Sequence, residues 1–125
     1  MKRAVQTPKA PLPAGTYSQA IVTSGTLVFI SGQTPRFSDG QRLIGADFEA
    51  QALQAMENLK AIAEAAGGTL DTHCAKVTVY LRDIEDRFAF DRVYAKYVGK
   101  TPPARAIVQS NFVEFDVEVE AILAL

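Results

Sequence analysis

The last quarter of the chain limits the possible folds more than any other stretch. Val117-Glu-Val-Glu-Ala-Ile-Leu-Ala-Leu125 begins with strict alternation, Val117, Val119 and Ala121 against Glu118 and Glu120. A period of two marks a strand with one apolar and one polar face. Upstream, Thr101-Pro-Pro-Ala-Arg105-Ala-Ile-Val-Gln109 contains Pro103, which has no N–H to give a ladder and so suits the first residue of a strand. Residues 110–116 are few enough for the two strands to pair antiparallel. That pairing would bring the Arg105 guanidinium to a carboxylate on its neighbour, which on spacing alone reads as a structural cross-strand ion pair.

Elsewhere the pattern alternates between strand and helix. Tyr17-Ser-Gln-Ala-Ile-Val-Thr23 and Thr26-Leu-Val-Phe-Ile-Ser31, separated by Ser24-Gly25, read as a β-hairpin, with a further short strand at residues 3–6. Residues 36–42 are polar, and Asp39-Gly40 marks a turn. Phe48, Ala52, Ala55, Leu59, Ile62 and Ala66 recur at three and four residues, with Met56 and Ala63 widening the stripe. This predicts an amphipathic helix over 47–66, with Gln51 and Asn58 off the stripe, Asp47 as N-cap and Gly67-Gly68 as the stop. Val77, Val79 and Leu81 alternate with Lys76, Thr78 and Tyr80 in a strand, and a second helix follows over 86–98. The order is β-β-α-β-α-β-β, a single α+β domain spanning residues 1–125.

Two helices cover one face of a mixed sheet of this size and leave the other. Residues 121–125 are apolar on both strand faces, so that second face needs a cover, and another copy of the chain is the simplest one.

Composition excludes several classes. A net charge of −1 supplies no basic field, so nucleic-acid binding is not expected. One cysteine excludes an internal disulfide and fits a reducing compartment. Neither a signal peptide nor a membrane span is visible, and a cytoplasmic location with no membrane partner is expected.

Most of the reactive residue types read as structural. His73 is the sole histidine, so no two-histidine metal site or His-Glu-x-x-His motif can form, and no metal is expected. Cys74 reads as a small buried apolar residue, Tyr94 and Tyr97 as part of a helix stripe, and Gly67-Gly68 as a helix stop. Ser31, at a strand end, is the exception.

Ser31 belongs to an ordered set: Gly15-Thr-Tyr-Ser-Gln-Ala20, Phe29-Ile-Ser-Gly-Gln-Thr-Pro35, Gln51-x6-Asn58-Leu59, Ala65-Ala-Gly67, Val77-Thr-Val-Tyr-Leu-Arg-Asp83, Pro103-Ala-Arg105 and Val117-Glu-Val-Glu-Ala121. In content and order the set resembles the RidA/YjgF family of reactive intermediate deaminases, across essentially the whole chain. The resemblance implies a chorismate-mutase-like α+β fold and a homotrimer with clefts between subunits. It also implies hydrolysis of enamines and imines, such as 2-iminopropanoate and 2-iminobutanoate, to 2-oxo acids and ammonia without a cofactor. The family's carboxylate-binding arginine falls on Arg105, its water-activating glutamate on Glu118, its pocket tyrosine on Tyr17 and its serine on Ser31. A second class of function travels with the family under the names endoribonuclease and translation inhibitor. A divergent branch acting on another imine, or on an aminomuconate-type substrate, is a further alternative.

The residue types suit the chemistry. The partner implied is a small molecule whose fixed charge is a carboxylate, for which a planar guanidinium is the natural clamp. A glutamate can align and deprotonate the attacking water. Two further positions bear on substrate choice. Ile107 stands where the family commonly has a cysteine or another small residue, and Asp91 where an asparagine is frequent. A carboxylate at Asp91 would oppose an anionic substrate.

Overall fold

In the computed structural model, which describes residues 2–112 and 114–125, two helices lie on one face of a four-stranded mixed sheet. The elements in order are β1 (Lys2–Val5), β2 (Ala20–Thr23), β3 (Leu27–Gln33), α1 (Phe48–Ala65), α2 (Leu70–His73), β4 (Cys74–Leu81), a 3-10 turn (Ile84–Asp86), α3 (Arg87–Val98), β5 (Ala104–Gln109) and β6 (Val117–Ala124). The sheet runs β3-β6-β4-β5, and β1 and β2 form a separate antiparallel ribbon. The α+β class and the helix-covered face are as the sequence predicts.

Two expected strand pairings are replaced. β5 and β6 are not neighbours, because β4 lies between them, parallel to β5 and antiparallel to β6. β4, α3 and β5 form a parallel crossover unit, which returns β5 to the side of β4. With alternate residues fully buried, β6 gains ladder partners on both sides, whereas β5, with Ala106, Val108 and Gln109 exposed, takes an edge. Nor do β2 and β3 make a hairpin; β2 pairs with β1, and β3 with β6. Gly25, at φ +128°, carries the chain between the sheets so close to the Leu125 carbonyl that a Cβ would lie 2.0 Å from its oxygen.

The core lies between the helices and the sheet, with Met56, Leu59, Phe90 and Tyr94 against Val77, Val79, Leu81, Val117, Val119 and Leu123. Asp47 caps α1 by accepting from the Ala50 amide at 2.8 Å, as expected of a short acidic side chain there. Within α1, Ile62 is 37% exposed and Gln51 is buried, the reverse of the periodic pattern. Gln51 donates to the Ala46 carbonyl and to Asp116, both at 2.9 Å, and accepts from the Asp116 amide at 2.9 Å. Asn58 donates to the carbonyls of Thr34 and Arg36. The Gln51-x6-Asn58 pattern therefore pins the chain on either side of the helix. Residues 70–73 form a helical turn capped by Thr69, so His73 ends that turn.

Candidate functional site

Arg105 is held at the head of β5 by the segment that crosses it. Pro102 and Pro103 lack amide protons, and their carbonyls instead accept from Ser18, at 2.6 Å from its hydroxyl and 3.1 Å from its amide. This brings Gly15, Thr16 and Tyr17 over the strand. The Arg105 side chain is 6% exposed, with its guanidinium carbon 5.4 Å from the Tyr17 ring centroid and 4.8 Å from that of Tyr94. Gly15 eases this close approach, since a Cβ there would lie 3.2 Å from Arg105 Nη2, a tight contact, and 3.4 Å from Asp91 Oδ1, an ordinary one.

Asp91, on α3, accepts from Arg105 Nη1 at 2.6 Å and from the Thr16 hydroxyl at 2.8 Å. The Thr16 amide reaches both carboxylate oxygens at 3.2 Å. Burial pushes the Asp91 carboxyl up, but the hydrogen bonds from Arg105 and Thr16 outweigh it and hold the group below its ordinary range. Ile107 stands two residues along β5 on the same face. Together with Ala14, Gly15, Tyr17, Arg87 and Phe88, these residues line an open cleft of about 510 Å³. Phe88 is 60% exposed at its rim, with the Arg87 guanidinium 4.5 Å from the ring centroid.

Glu118 and Ser31 lie elsewhere. In the ladder register Arg105 neighbours Val77, and Val77 neighbours Ala121, all on the helix-covered face. Glu118 neighbours Tyr80 and Glu120 neighbours Thr78, on the open face. The structure therefore brings Arg105, Asp91, Tyr17 and Ile107 together, and brings Ser31 close to the two glutamates, but separates the two groups by the thickness of the sheet. The expected cross-strand pair between Arg105 and a β6 carboxylate does not form within one chain; Asp91 is the observed partner.

On the open face, Ser31, Phe29, Lys76, Thr78, Glu120 and Ile122 line a concavity of about 360 Å³. Glu120 accepts from the Tyr80 hydroxyl at 2.9 Å. Glu118 has no hydrogen-bond or ion-pair partner among the described residues and lies over Gly32, in a register break of β3. A Cβ on Gly32 would be 2.0 Å from Glu118 Oε2, so the glycine after Ser31 makes room for that carboxylate.

Three residues near these two concavities carry no clear mark in the sequence. Thr16 clasps Asp91, Gly32 seats Glu118, and Tyr94 combines a core position with contact to Arg105. The Tyr94 hydroxyl is buried without a partner among the described residues, and burial pushes its pKa far up. The quoted motifs containing Thr16 and Gly32 were the available signal for those two. Cys74 is fully buried, its thiol pushed up to about 12 by burial, which fits a structural role. Among the described residues, no three His, Cys, Asp or Glu side chains converge as a metal site, and no helix is long and apolar enough to cross a membrane.

The chain also resembles known proteins over nearly its full length. The family model described as Endoribonuclease L-PSP matches residues 7–125. A RutC family protein of Pyrococcus horikoshii is 44% identical over 98% of this chain and 97% of its own length. RidA from an Antarctic Psychrobacter species is 41% identical, with a TM-score of 0.73 over 98% of this chain and 99% of that one. A Rid-family protein of unknown function from Yersinia pestis superposes with a TM-score of 0.84 at 27% identity, covering 99% of this chain and 98% of its own.

Proposed function

The chain belongs to the Endoribonuclease L-PSP family, which includes the RidA/YjgF proteins, and from that premise we propose that it hydrolyses small α-imino acids to 2-oxo acids and ammonia. The observation that carries this reading is the state of Arg105. Its guanidinium is almost wholly withdrawn from water, yet Asp91 is its sole hydrogen-bond partner among the described residues, and it lines an open cleft. Most of its donors are thus left for an incoming carboxylate.

The second half of the site comes from another copy. The open face exposes Phe29 at 71%, Leu27 at 54% and Val108 at 43%, an apolar surface that association would cover. Laying the Arg105 cleft of one copy against the Glu118 face of the next is a heterologous contact, the kind that builds a ring when the rotation between copies closes. A homotrimer is the ring that the family resemblance implies. Glu118, without a hydrogen-bond or ion-pair partner among the described residues, is the carboxylate available to align water; Glu120 is engaged by Tyr80. Ser31, on the same face, provides a hydroxyl for the substrate or the water.

In the reaction, Arg105 holds the substrate carboxylate while a water oxygen adds to the iminium carbon and gives a proton to Glu118. The C=N π pair moves to nitrogen. The protonated Glu118 returns the proton to that nitrogen, the C–N bond breaks, and the hydroxyl gives its proton to the departing ammonia, which leaves as ammonium, as the C=O bond forms. One water is consumed and the acid–base residue is regenerated. Positioning plus one general base suffices for a reaction that water already performs slowly.

To test this, 2-iminobutanoate can be generated in situ by an amino-acid oxidase in the presence of semicarbazide. Active protein lowers the semicarbazone signal and speeds the release of 2-oxobutanoate. An unchanged signal with 2-iminobutanoate and 2-iminopropanoate would contradict the assignment.

A further inference from the structure

The charges deep in the Arg105 cleft are not those of a plain anion clamp. Of the side chains lining it, Arg87, Asp91, Arg105 and Tyr17 are ionisable. Arg87 is 40% exposed, with Glu85 at 3.8 Å and the Phe88 ring beneath it, so water screens its charge. Farther in, the Arg105 and Asp91 side chains are 6% and 23% exposed and 2.6 Å apart. A ligand that brings only a negative charge to Arg105 must bring it to Asp91 as well, and like charges at contact disfavour binding. Thr16 holds Asp91 through both its hydroxyl and its amide, so the carboxylate is not free to swing aside.

We infer that the Arg105–Asp91 pair selects the zwitterionic iminium form of an α-imino acid, with the substrate carboxylate on Arg105 and the iminium N–H on Asp91. This rests on the imine-hydrolase reading above and narrows it to one protonation state of the substrate. In that species the anionic carboxylate and the cationic nitrogen sit on adjacent carbons, the complement of the adjacent charges in the protein. The hydrogen-bonding capacity is sufficient. A carboxylate offers about four lone-pair sites, and Asp91 receives one donor from Arg105 and two from Thr16, leaving about one for the ligand. Arg105 offers about five N–H donors and gives one of them to Asp91.

Two chemical consequences follow. An N–H held by a carboxylate keeps the imine protonated, which is the form whose carbon water attacks most readily. The product 2-oxo acid has lost the positive group while keeping the negative one, so it meets Asp91 uncompensated and is released. Asp91 thus works as a charge filter on both entry and exit.

Binding, which needs no turnover, tests this directly. Calorimetric or NMR titration would compare 2-aminobutanoate, a zwitterion, with 2-oxobutanoate, a monoanion of the same length. The wild type is expected to bind 2-aminobutanoate about tenfold more tightly or better. Asp91→Asn should reverse that order, and Asp91→Glu, which keeps the charge, should preserve it. If Asp91→Asn does not fold, as judged by circular dichroism, Asp91→Ser serves in its place. A wild type that prefers the oxo acid or binds neither ligand would overturn the inference, as would an equal preference ratio in wild type and neutral variants. Imine hydrolysis accompanied by preference for the oxo acid would remove this inference and leave the hydrolase reading intact. Zwitterion preference without hydrolysis of any imine would do the reverse.

Discussion

Arg105 and Glu118 stand on opposite faces of one sheet, with β4 between their strands. Two strand spacings put β5 and β6 about 10 Å apart, and the alternation of side chains then directs the guanidinium toward α3 and the carboxylate away from it. No rotamer change in either residue closes that separation. A reaction that uses both needs two chains.

Glu118 and Glu120 share a face but differ in their contacts, since of the two only Glu120 is held by Tyr80 among the described residues. Glu118→Gln should lower imine hydrolysis at least tenfold while leaving the oligomer intact, because it removes the proton acceptor. Glu120→Gln weakens one hydrogen bond to Tyr80 and should change the rate far less. Steady-state rates and light scattering on both variants check this; the opposite ranking would make Glu120 the base.

Gly32→Ala places a methyl group where Glu118 Oε2 now sits. The atom in the way is the end of a flexible side chain, so the carboxylate moves and the backbone need not. Stability should fall by less than about 1 kcal/mol, while kcat falls sharply. Thermal melts combined with rates distinguish this from a general packing defect, in which both would fall together.

Gln51→Ala should leave activity largely intact and lower stability by about 1–3 kcal/mol, because the part-buried Asp116 amide loses its acceptor and the buried Gln51 site loses its hydrogen bonds. Urea unfolding measures this. A neutral result would mean that water takes over the hydrogen bonds of the lost side chain.

The Arg105–Asp91 pair also ties stability to pH. Asp91 has a folded pKa below its unfolded value, so its contribution is complete above the ordinary carboxyl range and is lost as pH falls from about 4 through the lower folded value. The stability advantage of wild type over Asp91→Asn should therefore be full at about pH 7 and shrink towards pH 3. Unfolding in urea at both pH values measures the difference, and a constant gap would contradict the linkage.

The strands and helices could be read because their causes are local. The Val-Glu-Val-Glu alternation fixed the faces of β6, and the Asp47 cap and the Gly67 stop bounded α1. Sheet order was not local. The short link at residues 110–116 favours a hairpin, but the β4-α3-β5 crossover takes the place beside β4, and β6 lies on its other side. Gln51 misled for a related reason. Its amide is satisfied by residues 46 and 116, and the second of these lies far away in sequence. The site residues were legible only as a family pattern. Nothing in the spacing of Asp91, Thr16 and Arg105 foretells that they meet, since their contact is made by tertiary folding.

The most direct measurement mixes two inactive variants. Arg105→Ala keeps Glu118, and Glu118→Gln keeps Arg105. Equal amounts of the two, co-refolded or co-expressed with different tags, should form mixed rings. In a closed head-to-tail ring, random assembly gives about a quarter of the clefts both intact residues. Imine hydrolysis by the mixture should therefore recover to about a quarter of the wild-type rate, while each variant alone stays inactive. Verified mixed oligomers that remain as inactive as their parents would contradict a site shared between chains.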